Sequence, residues 1–331
     1  MVNTDRGFSL WLDFVERDFL RRDFLKLIEA GIINGATSNP SIFASAITTS
    51  NAYKEQLASL AGKSAKEKYE ALAMEDIKMA AVELRGAYDE GNDGYISIEV
   101  DPFLSNDTKA TVEEGKRLFK AIGEPNVMIK VPATEAGYAA MTELLSTGIS
   151  VNATLIFSPE QARKCLDAMK QGLDIFENSG GRRAEGVVSV FVSRFDRLLD
   201  PLLQEKGLPT ARTGIMNAAK IYNIIEDNRT PSVRTLFAST GVKGDELKAD
   251  YYIRELLASH SVNTAPLSTI ESYIKTEEGD TKLPISNEEI EAYFETLENA
   301  GINMDEVYDR LLKEGLIAFE KAFEEMLDML K

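Results

Sequence analysis

The chain has one cysteine, one histidine and one tryptophan in 331 residues. With Cys165 alone, no intrachain disulfide can form and no thiolate cluster can hold a metal, which fits a reducing compartment. Its setting, Ala162-Arg163-Lys164-Cys165-Leu166, reads as a helix interior where a cysteine packs. The lone His260 excludes more. Nucleophile systems built on serine or cysteine need a base histidine, and most zinc sites need several imidazoles. Any proton transfer must therefore fall to carboxylates, lysine or tyrosine. Positive charge is also short: 37 Lys and Arg against 54 Asp and Glu leave a net charge of −17. Arg21-Arg22 and Arg182-Arg183 are isolated pairs and form no basic stripe, so neither nucleic acid nor an anionic membrane is an expected partner. No run of about 18 apolar residues exists to span a bilayer. From Met1 the chain reaches Asp13 and Glu16 too soon for a signal-peptide apolar core, and a cytoplasmic location is expected.

What is present is an ordinary globular composition, 44% hydrophobic and 27% charged, in a rhythm of short β-rich runs and amphipathic helices. Strands are expected near Ser9–Phe14, Ile32–Ala36, Tyr95–Asp101, Val127–Ala133, Ser150–Phe157, Gly186–Ser193, Arg234–Ser239 and Ser261–Thr264. Eight such runs with helices between them predict an α/β fold, a (β/α)8 TIM barrel with additional helices, as one domain over 1–331. Ser158-Pro159-Glu160-Gln161 is a capping box that launches a helix to about Phe176. Ser64 to Glu90 carries a helical apolar stripe of Tyr69, Leu72, Ile77, Leu84 and Tyr88, ended by Gly91 and Gly94. Ser286-Asn287-Glu288-Glu289 reads as a second capping box, and Asn303 as the cap of a final helix striped by Val307, Leu311, Phe319, Phe323, Met326 and Leu330. These extra C-terminal helices occupy about 286–331, and their stripe would suit packing on the barrel or a homodimer contact.

Alternation within the strands separates two faces. Ser97, Glu99 and Asp101 oppose Ile96, Ile98 and Val100; Asn152 shares a face with Thr154; Ser189, Phe191 and Ser193 oppose Val188, Val190 and Val192. An antiparallel sheet with one wet face would give the same pattern. The intervening helices favour a barrel whose Ile and Val faces meet the helices while the polar faces point inward. Active sites of such barrels collect at the C-terminal strand ends.

Lys130 stands in the apolar run Val127–Ala133, on the same face as Met128. A lysine among apolar residues is costly, and desolvation favours its neutral, nucleophilic amine, which can attack a ketone; an edge-strand lysine is the plainer alternative. Glu99, on the neighbouring strand, and Asp13, near the end of the first, would supply the bases that the histidine count withholds, unless they are solvated loop acids. After the second strand comes Gly35-Ala-Thr-Ser-Asn39-Pro-Ser-Ile-Phe43, where Pro40 forces Asn39 into an extended conformation. Ala238-Ser239-Thr240-Gly241-Val242-Lys243 follows the seventh, with a glycine and a cation that would suit a phosphate or merely cap a helix.

Together, Gly-Ala-Thr-Ser-Asn-Pro-Ser-Ile-Phe, Ile-Lys-Val-Pro-Ala-Thr, Val-Asn-Ala-Thr-Leu-Ile-Phe-Ser and Ser-Val-Phe-Val-Ser-Arg-Phe-Asp resemble the transaldolase family. Leu-Phe-Ala-Ser-Thr-Gly-Val-Lys and Val-Asn-Thr-Ala-Pro point to its longer bacterial branch. The match runs in order from Ser9 to about Pro266. It implies a class I aldolase-type barrel, with Lys130 as the Schiff-base lysine and Asp13 as the acid–base carboxylate. It further implies that Glu99 and Thr154 handle a water during imine formation, and that Asn39 and Asn152 hold substrate hydroxyls. Ser189 and Arg194 would bind substrate and phosphate, and Ser239 is the corresponding serine of the seventh strand. Many family members carry an arginine two residues beyond that serine; here Gly241 stands there, and Lys243 is the substitute cation. The implied reaction passes a dihydroxyacetone unit from sedoheptulose 7-phosphate to glyceraldehyde 3-phosphate in the non-oxidative pentose phosphate pathway, without metal or organic cofactor. Sugar phosphates are thus the expected ligands. A class I aldolase of fructose-6-phosphate type, or a barrel that only binds sugar phosphates, are the alternatives on the same scaffold.

Overall fold

Each strand of the fold has to satisfy two different surroundings at once, and this sets the architecture. The computed structural model describes residues 7–228, 230–276 and 279–331. Its strands are β1 Phe8–Asp13, β2 Gly35–Thr37, β3 Tyr95–Glu99, β4 Val127–Pro132, β5 Val151–Ile156, β6 Gly186–Phe191, β7 Val233–Ala238 and β8 Ser261–Ala265. They pair in parallel in chain order, and β8 pairs with β1, so the eight strands form a closed barrel. Parallel neighbours require crossover connections. The helices of ten residues or more are α1 Pro40–Thr49, α2 Ala65–Asp89, α3 Thr108–Ile122, α4 Glu135–Ser146, α5 Pro159–Asn178, α6 Ser193–Glu205, α7 Thr213–Asp227, α8 Asn287–Asn299 and α9 Met304–Met329.

Local chemistry starts these helices where the sequence marks them. Ser158 and Gln161 exchange both bonds of a capping box at α5, and Ser64 with Glu67 does the same at α2. At α8 the Ser286 hydroxyl accepts from the Glu289 N–H, and at α9 the Asn303 side chain accepts from Asp305 N–H. Each such cap contributes about 1 kcal/mol. No helix among the described residues is long and apolar enough to cross a membrane.

Between strands and helices, Ile96, Ile98, Val100, Val188 and Val190 meet Leu84 of α2, Val112 and Leu118 of α3 and Met169 of α5 in a continuous apolar layer. Inside the barrel, Trp11, Tyr95, Met128, Val187, Leu236 and Val262 fill the end near the strand N-termini, each fully buried. Four polar side chains at this end are linked: Trp11 Nε1 donates to Asp93 Oδ2 at 2.8 Å, and Arg234 Nη2 lies 2.6 Å from Asp93 Oδ1 and 3.5 Å from Glu185 Oε2. This packed floor leaves the opposite end for polar side chains.

Every strand differs from expectation by a residue or more at one end or both, and three departures have a visible local cause. β2 is Gly35–Thr37 and not Ile32–Ala36, because Gly31 turns left-handed at φ 63° and Asn34 N–H bonds back to Leu10 O before pairing begins. β3 ends at Glu99, so Asp101 leaves the inward face; it caps the turn Pro102–Leu104 and takes Lys66 Nζ at 2.6 Å. In β5 the pairing with β6 slips between Ala153 and Ile156, and Leu155 sits at φ 57°. A left-handed leucine is strained. Gln161 holds it: its Nε2 donates to Leu155 O and to Ala133 O, both at 3.1 Å.

Gly35 is fixed by a close approach, since a Cβ there would lie 2.5 Å from Trp11 Nε1. Trp11 is buried and hydrogen-bonded and has little room to yield. Gly35→Ala should cost about 1–3 kcal/mol in denaturant unfolding; a loss below about 0.5 kcal/mol would show that the indole moves aside.

Candidate active site

Lys130 and Glu99 occupy paired positions of neighbouring strands β4 and β3, so both side chains enter the barrel at one height. Lys130 Nζ lies 3.1 Å from Glu99 Oε2 and donates to Ser38 O at 3.2 Å. Lys130 is 6% exposed and Glu99 5%. Burial pushes the Glu99 carboxyl above the ordinary range, with the Lys130 charge opposing that rise and Asp13 adding to it. The contact with Lys130 is a charge contact off the hydrogen-bonding direction, so neither Glu99 oxygen has a hydrogen-bond partner among the described residues, nor does the buried Thr154 Oγ1. Buried polar atoms left open are places for ligand or water atoms.

Asp13 ends β1. Its Oδ1 accepts from Thr37 Oγ1 at 2.7 Å, and Thr37 is linked to Thr264 Oγ1 at 2.7 Å. Burial raises the Asp13 carboxyl too, against the pull of Lys130 and the Thr37 hydroxyl. On the other wall, Asn152 Nδ2 donates to Ser97 Oγ at 2.9 Å and its Oδ1 accepts from Ser189 Oγ at 2.6 Å, which fixes the amide orientation. Asn39 is extended, and its Oδ1 caps α1 by accepting from Ile42 N–H at 3.1 Å. That leaves its NH2 as the group available to a ligand. Ser239, left-handed at φ 56°, places its hydroxyl 3.1 Å from Ser193 Oγ.

These groups enclose a cavity of about 200 Å³ at the C-terminal end of the barrel. Asp13, Asn39, Lys130, Asn152, Thr154, Ser189, Arg194 and Ser239 line it, and Glu99 stands directly behind Lys130. Lys243 is exposed on the loop after β7 and is not among the lining residues. Arg194, at the start of α6, stacks its guanidinium 4.9 Å over Phe191 and makes no hydrogen bond or ion pair with the described residues. Burial, with Arg197 nearby, brings it down to about 10, so it is cationic at neutral pH. An open cation at a cavity wall is suited to an anionic group.

Sequence reasoning passed over Thr37, Thr264, Phe191 and Phe319 as lining residues. Inward alternation on β2, β6 and β8 could have found the first three. Phe319 comes from α9, 189 positions beyond Lys130, and local pattern carries no sign of it. A larger cleft of about 1330 Å³ lies between the C-terminal helices and the starts of α4 and α5. Its lining holds no buried amine–carboxylate pair, so the smaller cavity is the candidate site. Among the described residues no group of three or more His, Cys, Asp or Glu is set to hold a metal ion.

Asp196 ties the base of this wall together. Its Oδ1 accepts from Gly214 N–H and its Oδ2 from Tyr252 Oη, each at 2.8 Å. Burial nevertheless pushes the carboxyl up to about 6, the two donors working against that rise. The folded state therefore holds this proton more tightly than the unfolded chain. The linked stabilisation is complete below the unfolded value of about 3.9 and is lost as pH rises through about 6. Asp196→Asn does not titrate, so its melting temperature relative to the parent should rise between roughly pH 4 and roughly pH 7 and level off above that. A difference that stays flat across that range would sink this account.

Comparison with known proteins bears on the same residues. A family model described as Transaldolase/Fructose-6-phosphate aldolase matches residues 10–330. A protein named Transaldolase from Helicobacter pylori (strain Shi470) is 48% identical over 321 residues, 97% of this chain and 98% of that one. Another so named, from Campylobacter jejuni subsp. jejuni (strain 81116), is 47% identical over 332 residues, covering 98% of this chain and all of the relative. A third, from Campylobacter jejuni subsp. doylei, is 47% identical over the same span. With the match running from β1 to the end of α9, and the eight-stranded closed barrel beneath it, this chain belongs to the transaldolase/fructose-6-phosphate aldolase family.

Proposed function

We propose that this protein is a transaldolase that moves a dihydroxyacetone unit between sugar phosphates through a Schiff base on Lys130. The observation that carries the reading is a buried amine 3.1 Å from a buried carboxylate in a cavity that Asp13 also lines. Lys130 attacks the ketone of sedoheptulose 7-phosphate. Glu99, 3.1 Å away, takes and returns protons, and with the open Thr154 hydroxyl it handles the water that leaves as the imine forms. Asp13 then accepts the proton of the C4 hydroxyl while the C3–C4 bond breaks, and erythrose 4-phosphate departs. Its raised pKa suits a group that must both take and give a proton. The protonated imine is the electron sink, so the carbanion persists as an enamine with no metal or organic cofactor required. Addition to glyceraldehyde 3-phosphate and hydrolysis release fructose 6-phosphate, the exchange used in the non-oxidative pentose phosphate pathway. A fructose-6-phosphate aldolase would use the same lysine and release dihydroxyacetone without an acceptor.

Asn39, Asn152, Ser189 and Ser239 are the polar groups placed to hold the substrate hydroxyls. A cytoplasmic homodimer completes the reading, and Ile317 and Met329, exposed on α9, offer apolar surface for a second copy.

Borohydride reduction with fructose 6-phosphate should leave a three-carbon adduct on Lys130, located by peptide mass mapping. An adduct elsewhere, or none, rejects the mechanism. Asp13→Ala should still form the imine, so that reduction traps mainly the uncleaved six-carbon sugar phosphate on Lys130, while turnover drops by about 10²–10⁴. For the phosphate, Arg194→Ala should raise KM for phosphorylated substrates by about tenfold or more, as loss of a charge-assisted contact does. Lys243→Ala tests the loop cation in the same assay; if it raises KM as much as Arg194→Ala, the phosphate lies further out than the cavity wall.

A further inference from the structure

The mouth of the barrel is crossed by one helix. Successive turns of α9 touch successive parts of the rim. Tyr308 meets Phe195 edge-on at 5.9 Å and donates to Asn217 Oδ1 at 3.1 Å. Gly315 lies against the β5 bulge so closely that a Cβ would sit 2.9 Å from Leu155 Cδ2 and 3.3 Å from Arg194 Nη1. Phe319 follows one turn later, buried, with its ring centroid 5.5 Å from Lys130 Nζ. Phe323, the next turn, is held edge-on by Tyr69 at 5.4 Å and Phe103 at 6.2 Å. Lys68 Nζ then donates to Leu330 O at 2.7 Å. The helix is clamped on both sides of Phe319, so the ring is held over the amine.

We propose that Phe319 is a specificity-determining residue: its ring keeps water off the lysine-bound enamine, which therefore attacks an aldehyde instead of being protonated. The proposal rests on the Schiff-base reading above. Without the ring, the enamine carbon takes a proton from water, giving an iminium and hydroxide. The hydroxide adds to the iminium carbon and the C–N bond breaks, so that enamine plus one water yields dihydroxyacetone and the free lysine. Every other group needed for that leak is already beside Lys130: Glu99 to move protons, and buried polar atoms at Glu99 and Thr154 that have no hydrogen-bond partner among the described residues and could bind a water that entered. What separates transfer from leakage is solvent access to the adduct, and Phe319 is an apolar ring that α9 alone brings to the amine. Exclusion of water from a reactive intermediate is a recognised way to suppress its hydrolysis.

The test measures partitioning in the full-length protein, with fructose 6-phosphate as donor and erythrose 4-phosphate as acceptor. Free dihydroxyacetone is quantified against sedoheptulose 7-phosphate formed. Phe319→Ala should raise that ratio by about tenfold or more, while Phe319→Leu, which keeps an apolar cover, should stay within about threefold of the parent. Phe319→Gln, of similar reach but polar, should rise as well and serves if the alanine variant fails to fold. An unchanged ratio in Phe319→Ala or Phe319→Gln, with the three-carbon adduct still trapped on Lys130, overturns the proposal. A parent enzyme that traps no adduct removes the Schiff-base reading itself, and this proposal with it. Loss of both products in equal measure would assign the ring to packing alone and overturn the proposal too.

Discussion

The 3.1 Å contact between Lys130 and Glu99 sets the terms for the rest of the molecule. Removing an ammonium and a carboxylate from water costs several kcal/mol per ion, and removing one partner of such a pair leaves the other charge uncompensated, at a cost of about 3–5 kcal/mol. A pair like this persists only where neighbouring groups complete its surroundings and where the fold has ample stability elsewhere. The parallel register of β3 with β4 puts the two residues side by side, and the Ser38 carbonyl supplies a further acceptor for the amine. Among the described residues neither Glu99 oxygen has a hydrogen-bond partner. The pair is held, but not satisfied, which is the condition of a group kept for chemistry rather than for stability.

The cost falls on the surrounding layers. Outside the strands, aliphatic side chains seal sheet to helices; inside, the aromatic and aliphatic floor around Trp11 and Tyr95 is fully buried. Strain sits next to the site, at Leu155 and Ser239, both left-handed without being glycine. Gln161 anchors the first through two carbonyls, and it is also the residue that closes the α5 capping box. Helix initiation and site geometry thus depend on one side chain.

The strand faces were legible because period-two alternation survives burial on both sides of a barrel wall. Ser97 and Glu99, Asn152, Ser189 and Lys130 all announce an inward polar face. Element ends were less so. Asp101 continues the alternation of β3 on paper, yet Lys66 and a cap draw it outward. The β5 slip leaves no mark in Val-Asn-Ala-Thr-Leu-Ile, since leucine gives no hint of a left-handed backbone. Phe319 was legible only as one member of an apolar stripe; that α9 returns across the mouth is a fact of tertiary packing. Lys243 looked like a ligand because it follows Gly241, but its loop leaves it exposed, and Arg194 holds the open charge at the cavity wall.

The floor built from Trp11, Asp93, Arg234 and Glu185 has a kinetic consequence. A barrel filled at one end has a single doorway, and the cavity behind it is small. The aldehyde cut from the donor and the aldehyde that will accept the fragment must use the same passage. The first has to leave before the second arrives, and on the proposed mechanism the enzyme in between is a covalently loaded species. Strict alternation of donor and acceptor, the ping-pong pattern of covalent catalysis, follows from how the far end of the barrel is stoppered.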